Sequence, residues 1–170
     1  MEKQNKIAAT LKKHDVSKTG SLNREELGAM LQELAGGEAP TEEELTFVLI
    51  AADATDKKLD GEVGHHELET AIAVWNRYLD SKPDIDIIFE KFDKNQSGKL
   101  EADQLKAFLT ELNDDIEPTD EEVKFILDSA DGAVEGVSKT GGINRTELTQ
   151  AISLWYAHTD KMQKKCCSIM

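Results

Sequence analysis

The feature that most constrains this chain is that it is written twice. Asp15, Gly20, Leu22, Leu27, Leu31 and Leu34 recur in order, at one constant offset, as Asp93, Gly98, Leu100, Leu105, Leu109 and Leu112. The same register holds through Thr41 and Thr119, Phe47 and Phe125, and Asp53 and Asp131. It then lengthens by two, aligning Glu67 with Glu147, Ile72 with Ile152 and Trp75 with Trp155, so the second copy carries two extra residues between Asp131 and Glu147. A duplicated plan restricts the fold to two like units. The seam reads as Asp80 to Asp84, which gives units over 1–80 and 84–160 and a basic tail over 161–170. Pro83 in the seam predicts a helix break there, because proline removes a backbone donor and crowds the preceding turn.

Within each copy the apolar residues keep helical spacing. Leu27, Met30, Leu31 and Leu34 form an i, i+3, i+4, i+7 stripe that stops at Gly36-Gly37. Thr41 with Glu44, and Thr119 with Glu122, are capping-box starts. Leu68, Ile72, Trp75 and Leu79 make a further stripe, and Ile85, Ile88, Phe89 and Phe92 open the second copy. The expectation is an all-α chain of eight helices in four pairs, with one polar loop inside each pair. Trp75 and Trp155 are expected in the core, and His14, His65, His66 and His158 at the surface.

The first polar loop runs from Asp15 to Glu26. Asp15, Ser17, Thr19 and Asn23 put oxygens at its positions 1, 3, 5 and 9, Ser21 stands at 7, Gly20 at 6 and Glu26 at 12. A hard cation that takes six to eight oxygens needs alternate residues to wrap it, a sharp turn midway and a closing bidentate carboxylate. On these residues the chain resembles an EF-hand calcium-binding protein of four hands over about residues 3 to 160. The third loop offers Asp93, Asn95, Ser97, Lys99 and Glu101, but Gln104 stands at position 12, where an amide supplies one uncharged oxygen. It is expected to bind calcium more weakly than the first.

The second loop, counted back from Glu67, puts Asp56 at 1 and Lys58 at 3, where a cation repels a cation. The fourth, counted back from Glu147, puts Gly136 at 1 and Ser138 at 3. Both are expected to be structural, unless Asp53, Asp131 or Glu135 enters through a longer loop. Position 8 is apolar in all four copies, at Leu22, Val63, Leu100 and Ile143. That pattern predicts side-by-side loops joined by short two-stranded β bridges. The cofactor expected is therefore Ca2+, one or two ions, with Mg2+ as competitor.

Charge and composition narrow the partners. Lys and Arg number 20 against 34 Asp and Glu, a net −14 that repels phosphate backbones and excludes a nucleic-acid binder. There is no Gly-rich phosphate loop, nucleophile elbow or metalloprotease spacing, so no catalytic residue is named and an enzyme is not expected. Cys166 and Cys167, the only cysteines, cannot staple a fold and fit a reducing compartment. The first residues read as neither a secretory signal nor a myristoylation site.

Cys167-Ser168-Ile169-Met170 fits the C-a-a-X prenylation pattern, with a final methionine that points to farnesyl. Cys166 offers a palmitoyl acceptor, and Lys161, Lys164 and Lys165 face anionic lipid as the second signal that one lipid chain needs. The function expected is a calcium sensor tethered to the cytoplasmic face of a membrane and relaying calcium to a partner protein. A cytosolic calcium buffer that opens little, or a metal-independent scaffold like the degenerate hands of myosin light chains, is the alternative. Scarce internal methionine, Met30 and Met162, argues against a promiscuous methionine groove.

Overall fold

The computed structural model describes residues 2–55, 60–132 and 139–167, with the backbone alone for 2–4 and 160–167. In chain order the elements are α1 Glu2–His14, β1 Ser21–Leu22, α2 Arg24–Leu34, α3 Glu42–Asp53, β2 Val63–Gly64, α4 His65–Phe92, β3 Lys99–Leu100, α5 Ala102–Leu112, α6 Asp120–Ala130, β4 Ile143–Asn144 and α7 Arg145–Cys167. The chain divides into two compact units, Met1–Lys82 and Pro83–Met170.

Seven helices therefore stand among the described residues where eight were expected. Proline was expected to break the helix at the seam, yet α4 is a single 28-residue helix with Pro83 inside it. An interior proline costs about 3 kcal/mol. The flanking turns outweigh that cost, burying Trp75 and Tyr78 before the proline and Ile85 and Phe89 after it.

The helix starts follow their capping chemistry. Thr41 takes the Glu44 N–H on its hydroxyl at 3.2 Å, and the Glu44 carboxylate accepts the Thr41 N–H at 2.8 Å. Thr119 and Glu122 repeat the exchange at 3.3 and 2.8 Å. Asn23 caps α2, its side-chain oxygen accepting from the N–H groups of Glu25 and Glu26, both at 3.0 Å.

In the first unit β1 and β2 pair antiparallel, with Leu22 opposite Val63. In the second, β3 and β4 pair the same way, with Leu100 opposite Ile143. All four position-8 residues are wholly buried. Each bridge thus closes the base of a core, as the alternation of polar and apolar loop positions predicts. Leu27, Leu31, Val48, Leu68 and Trp75 fill the first core, and Leu105, Leu109, Ile126, Leu148 and Trp155 the second. The Trp75 indole N–H donates to the Leu31 carbonyl at 3.0 Å, which satisfies its one polar group inside.

Two histidines depart from the surface positions expected for them. The His14 side chain is only 12% exposed and lies 3.5 Å from the Glu33 carboxylate. His158 stands against the rings of Phe125 and Trp155, with centroids 5.4 and 6.1 Å away. A lone imidazole in a polar-looking helix face gives no periodic signal, so spacing could not place either one.

Candidate metal centre

The first loop gathers its oxygens by hydrogen bonding from its own backbone. Gly20 sits at φ +90, a left-handed conformation that turns the chain back on itself and that a residue with a Cβ would resist. The turn aims two N–H groups at Asp15: Thr19 donates to Oδ1 at 3.0 Å and Gly20 to Oδ2 at 2.9 Å. The Ser17 hydroxyl donates to Asp15 Oδ1 at 3.3 Å and lies 3.3 Å from that of Thr19. Glu26 closes the far side, with Ser17 N–H on Oε1 at 2.7 Å and Asn23 N–H on Oε2 at 3.0 Å.

These donors set the charge of the site. Partial burial pushes the Asp15 carboxyl up, and the Gly20 and Thr19 N–H groups with the Ser17 hydroxyl more than reverse it, leaving it below its usual value. The N–H groups of Ser17 and Asn23 likewise hold Glu26 below the usual carboxylate range. Both groups are anionic at neutral pH, where a hard cation needs them.

Of the six residues predicted for this loop, Asp15, Ser17, Thr19 and Glu26 come together. Ser21 contributes its carbonyl, which accepts from the Thr19 hydroxyl at 3.1 Å, while its own hydroxyl donates to Glu62. The Asn23 side chain is committed to capping α2 and faces the helix rather than the loop. Among the described residues no three His, Cys, Asp or Glu side chains gather into one metal-holding cluster. The donor set is instead two carboxylates with hydroxyl and carbonyl oxygens, which fits calcium rather than a transition metal.

The third loop repeats the turn and changes the closure. Ser97 donates to Asp93 Oδ1 at 3.0 Å and Gly98 to Oδ2 at 2.8 Å. The Ser97 hydroxyl donates to the Lys99 carbonyl at 3.1 Å. Gln104 spends its one oxygen on the Glu101 N–H at 3.0 Å. Its amide nitrogen therefore faces the loop, donating to Asn95 Oδ1 at 3.1 Å, and Asn95 in turn donates to Glu101 Oε1 at 3.3 Å. The position that supplies an acceptor in the first loop supplies a donor here.

The even loops are anchored by residues that fixed-length counting passes over. Asp53 and Asp131 are buried, and they take the N–H of Gly61 at 3.3 Å and of Gly141 at 2.8 Å. Asp131 also accepts the Thr140 N–H at 2.7 Å. Glu147 accepts from Gly132 at 3.0 Å and Asn144 at 3.0 Å, and Glu67 from Gly64 at 2.7 Å. Asp131, Thr140, Gly141 and Glu147 thus reproduce Asp15, Thr19, Gly20 and Glu26 across a longer stretch of chain. The repeat register that aligns Asp53 with Asp131 was the available signal. Asp56, Lys58, Gly136 and Ser138, the residues counted as positions 1 and 3, lie outside the described residues, as does Glu135.

At the other end of the chain α7 carries Cys166 and Cys167 on its last turn, and Ser168 to Met170 lie outside the described residues. Among the described residues no helix is long and apolar enough to cross a membrane.

Comparison with known proteins matches residues 82–153 to the EF-hand domain pair. Calcium-dependent protein kinase 7 of Arabidopsis thaliana is 32% identical over 124 residues, covering 72% of this chain and 22% of the kinase. Calcium-dependent protein kinase 14 of the same plant is 36% identical over 116 residues, covering 67% of this chain and 20% of that protein. The chain spans about a fifth of the length of these curated relatives. A redox protein from Chlamydomonas reinhardtii superposes with a TM-score of 0.49 at 22% identity, over 90% of this chain and 49% of the other.

Proposed function

We propose that this chain, an EF-hand calcium-binding protein, is a sensor whose first loop takes calcium at cellular concentrations and passes the event to a partner protein. The observation that carries the reading is the pair Asp15 and Glu26, both held anionic by backbone donors on opposite sides of one turn. Calcium supplies two positive charges and an affinity for hard oxygen. Asp15, Ser17, Thr19, the Ser21 carbonyl and Glu26 would hold it. Glu26 sits in the first turn of α2, so drawing its oxygens onto the ion releases the N–H groups of Ser17 and Asn23 and tilts that helix.

In the second unit the ion has two candidate seats. Gln104 must rotate its amide to admit one to the third loop, and Asp131 with Thr140 and Glu147 offers the fourth loop as the other. The reading assigns no reaction to the chain. An apolar dye followed during calcium titration tests it: a sensor gains dye emission, and a flat response identifies the buffer instead. Buried Met30 and the scarcity of other methionines favour that second reading.

The tether is the further part of this proposal. With Cys167 opening the final Cys167-Ser168-Ile169-Met170 stretch, prenylation there and acylation of Cys166 would hold the protein at a cytoplasmic membrane face. Lys161, Lys164 and Lys165 would add about 1 kcal/mol each near anionic lipid. An intact mass of the protein from eukaryotic cells reads both the true terminus and any lipid. Equal membrane fractions for wild type and Cys167→Ser defeat the tether.

A further inference from the structure

The fourth hand is shut at the end far from its loop. Glu122 lies in the first turn of α6, which runs on to Ala130, and His158 lies well along α7, which begins at Arg145. At the rise of an α-helix, Glu122 to Ala130 spans about 12 Å and Arg145 to His158 about 20 Å. Helices crossing at right angles near the loop would therefore hold the two side chains more than about 20 Å apart. They meet instead, with His158 Nε2 at 3.2 Å from Glu122 Oε1. The two helices lie side by side. The second hand closes the same way at the equivalent residues, where the Tyr78 hydroxyl donates to Glu44 Oε1 at 2.8 Å.

The two closures differ in what can titrate. Tyr78 is a phenol, a group that keeps its proton to about pH 10. Lys82 adds a positive charge beside it, 3.4 Å from Glu44 and 2.7 Å from Glu38. His158 carries an imidazole, the side chain that can stand against a carboxylate either as a neutral ring or as a cation. From α6 it faces Glu122 and Phe125, and on its own helix it faces Trp155. Glu122 stays ionised in mild acid, because the Thr119 N–H, the Thr119 hydroxyl and His158 hold its carboxyl below the usual value. Both side chains are about three-quarters buried.

We infer that Glu122 and His158 form a proton-operated latch on α6 and α7, which protonation of His158 tightens and which calcium-driven separation of the two helices must break. Below the histidine range an imidazolium meets a carboxylate, and above it a neutral ring keeps one ordinary hydrogen bond. Reciprocity then requires protons to oppose the calcium response of the second unit, and calcium to favour loss of the proton. The equivalent closure of the second hand, made by Tyr78 and Lys82, holds no imidazole. The coupling rests on the proposed reading that calcium opens the hand; the latch itself does not.

The experiment has two arms on the full chain. In excess chelator, the fluorine spectrum of 5-fluorotryptophan-labelled protein is followed from pH 8 to 5.5. The Trp155 resonance moves with pH in wild type and is flat in His158→Gln. A pH-independent Trp155 signal, or one unchanged by His158→Gln, overturns the latch. In Glu122→Gln, which keeps an oxygen to cap Thr119, helix separation becomes indifferent to His158. In the second arm, the calcium midpoint of the Trp155 signal is read at pH 6 and pH 8. Wild type shifts about two- to fivefold more than His158→Gln and Glu122→Gln, the range expected of one partly exposed ion pair. Equal shifts overturn the coupling. Absence of any calcium response is a failure of the sensor reading, and the first arm still decides the latch.

Discussion

Glu26 and Gln104 occupy the same position in two loops built on one turn, and a single atom separates them. Glu26 offers Oε1 to the interior of its loop, and Gln104 offers an N–H instead. Gln104→Glu should therefore tighten calcium at the third loop by at least about tenfold, since a bidentate carboxylate replaces an inward donor. Loop-resolved NMR titration checks it, and an unchanged third loop counts against the assignment of position 12. The first loop should also hold its shape in mild acid. The usual values for Asp15 and Glu26 are 3.8 and 4.5, and both carboxyls are depressed in the folded chain. A depressed carboxyl contributes stability above its usual value and loses it as pH falls through the lower folded value. The protection factors of the Thr19 and Gly20 amides, which divide out the intrinsic slowing of exchange in acid, should thus hold through mild acid and fall only once the pH is below the usual carboxyl values; a fall that begins near neutral pH contradicts this origin. At this scale the turn of the first loop was legible, because twelve-residue spacing placed Asp15, Ser17, Thr19 and Glu26 around Gly20. The commitment of Asn23 to the helix cap was not, because one side chain can serve either use and spacing does not choose.

The elements were legible where chemistry is local and illegible where it is a competition. Capping boxes marked the starts of α3 and α6 to the residue, and apolar position 8 predicted both bridges. Pro83 misled, because its local cost is set against the burial of residues about two turns away on either side. The bridges matter more than their short length suggests. Leu22, Val63, Leu100 and Ile143 are wholly buried between paired loops. Leu100→Ala should destabilise the second unit by about 2–5 kcal/mol, the usual range for a large-to-small change in a core. Chemical denaturation followed at Trp155 measures it, and a cost below about 1 kcal/mol would show that the bridge does not close the core. Tyr78→Phe should cost the first unit about 1 kcal/mol, from the lost hydrogen bond to buried Glu44. Denaturation followed at Trp75 reads this directly, and a neutral substitution removes the phenol from the closure of the second hand.

For the whole molecule, duplication was the most informative reading, since it announced two units before any helix was placed. It also held the clue to the even loops. Asp53 and Asp131 align in the repeat, yet counting back a fixed loop length from Glu67 and Glu147 discards both. The longer loops seat those carboxylates on glycine N–H groups as the short ones do, so the same turn tolerates added residues. Sequence charge differs between the chain and its tail: the whole is acidic at net −14, which suits cations, while lysines stand beside Cys166 and Cys167, where the proposed tether would meet anionic lipid. On the proposed tether, vesicles containing anionic lipid should retain a chain farnesylated at Cys167 better than neutral ones, and the difference should vanish in about 0.5 M salt as screening removes the lysine contribution. Retention indifferent to lipid charge leaves the lysines no part in the tether.

The central claim is that the turn between α1 and α2 encloses a calcium ion between Asp15 and Glu26. Isothermal calorimetry of calcium into the full chain and into Glu26→Gln tests it most directly. The wild type is predicted to show its tightest event at the first loop, and Glu26→Gln to lose that event while keeping its helical spectrum. Matching isotherms for the two proteins would contradict the account at its root.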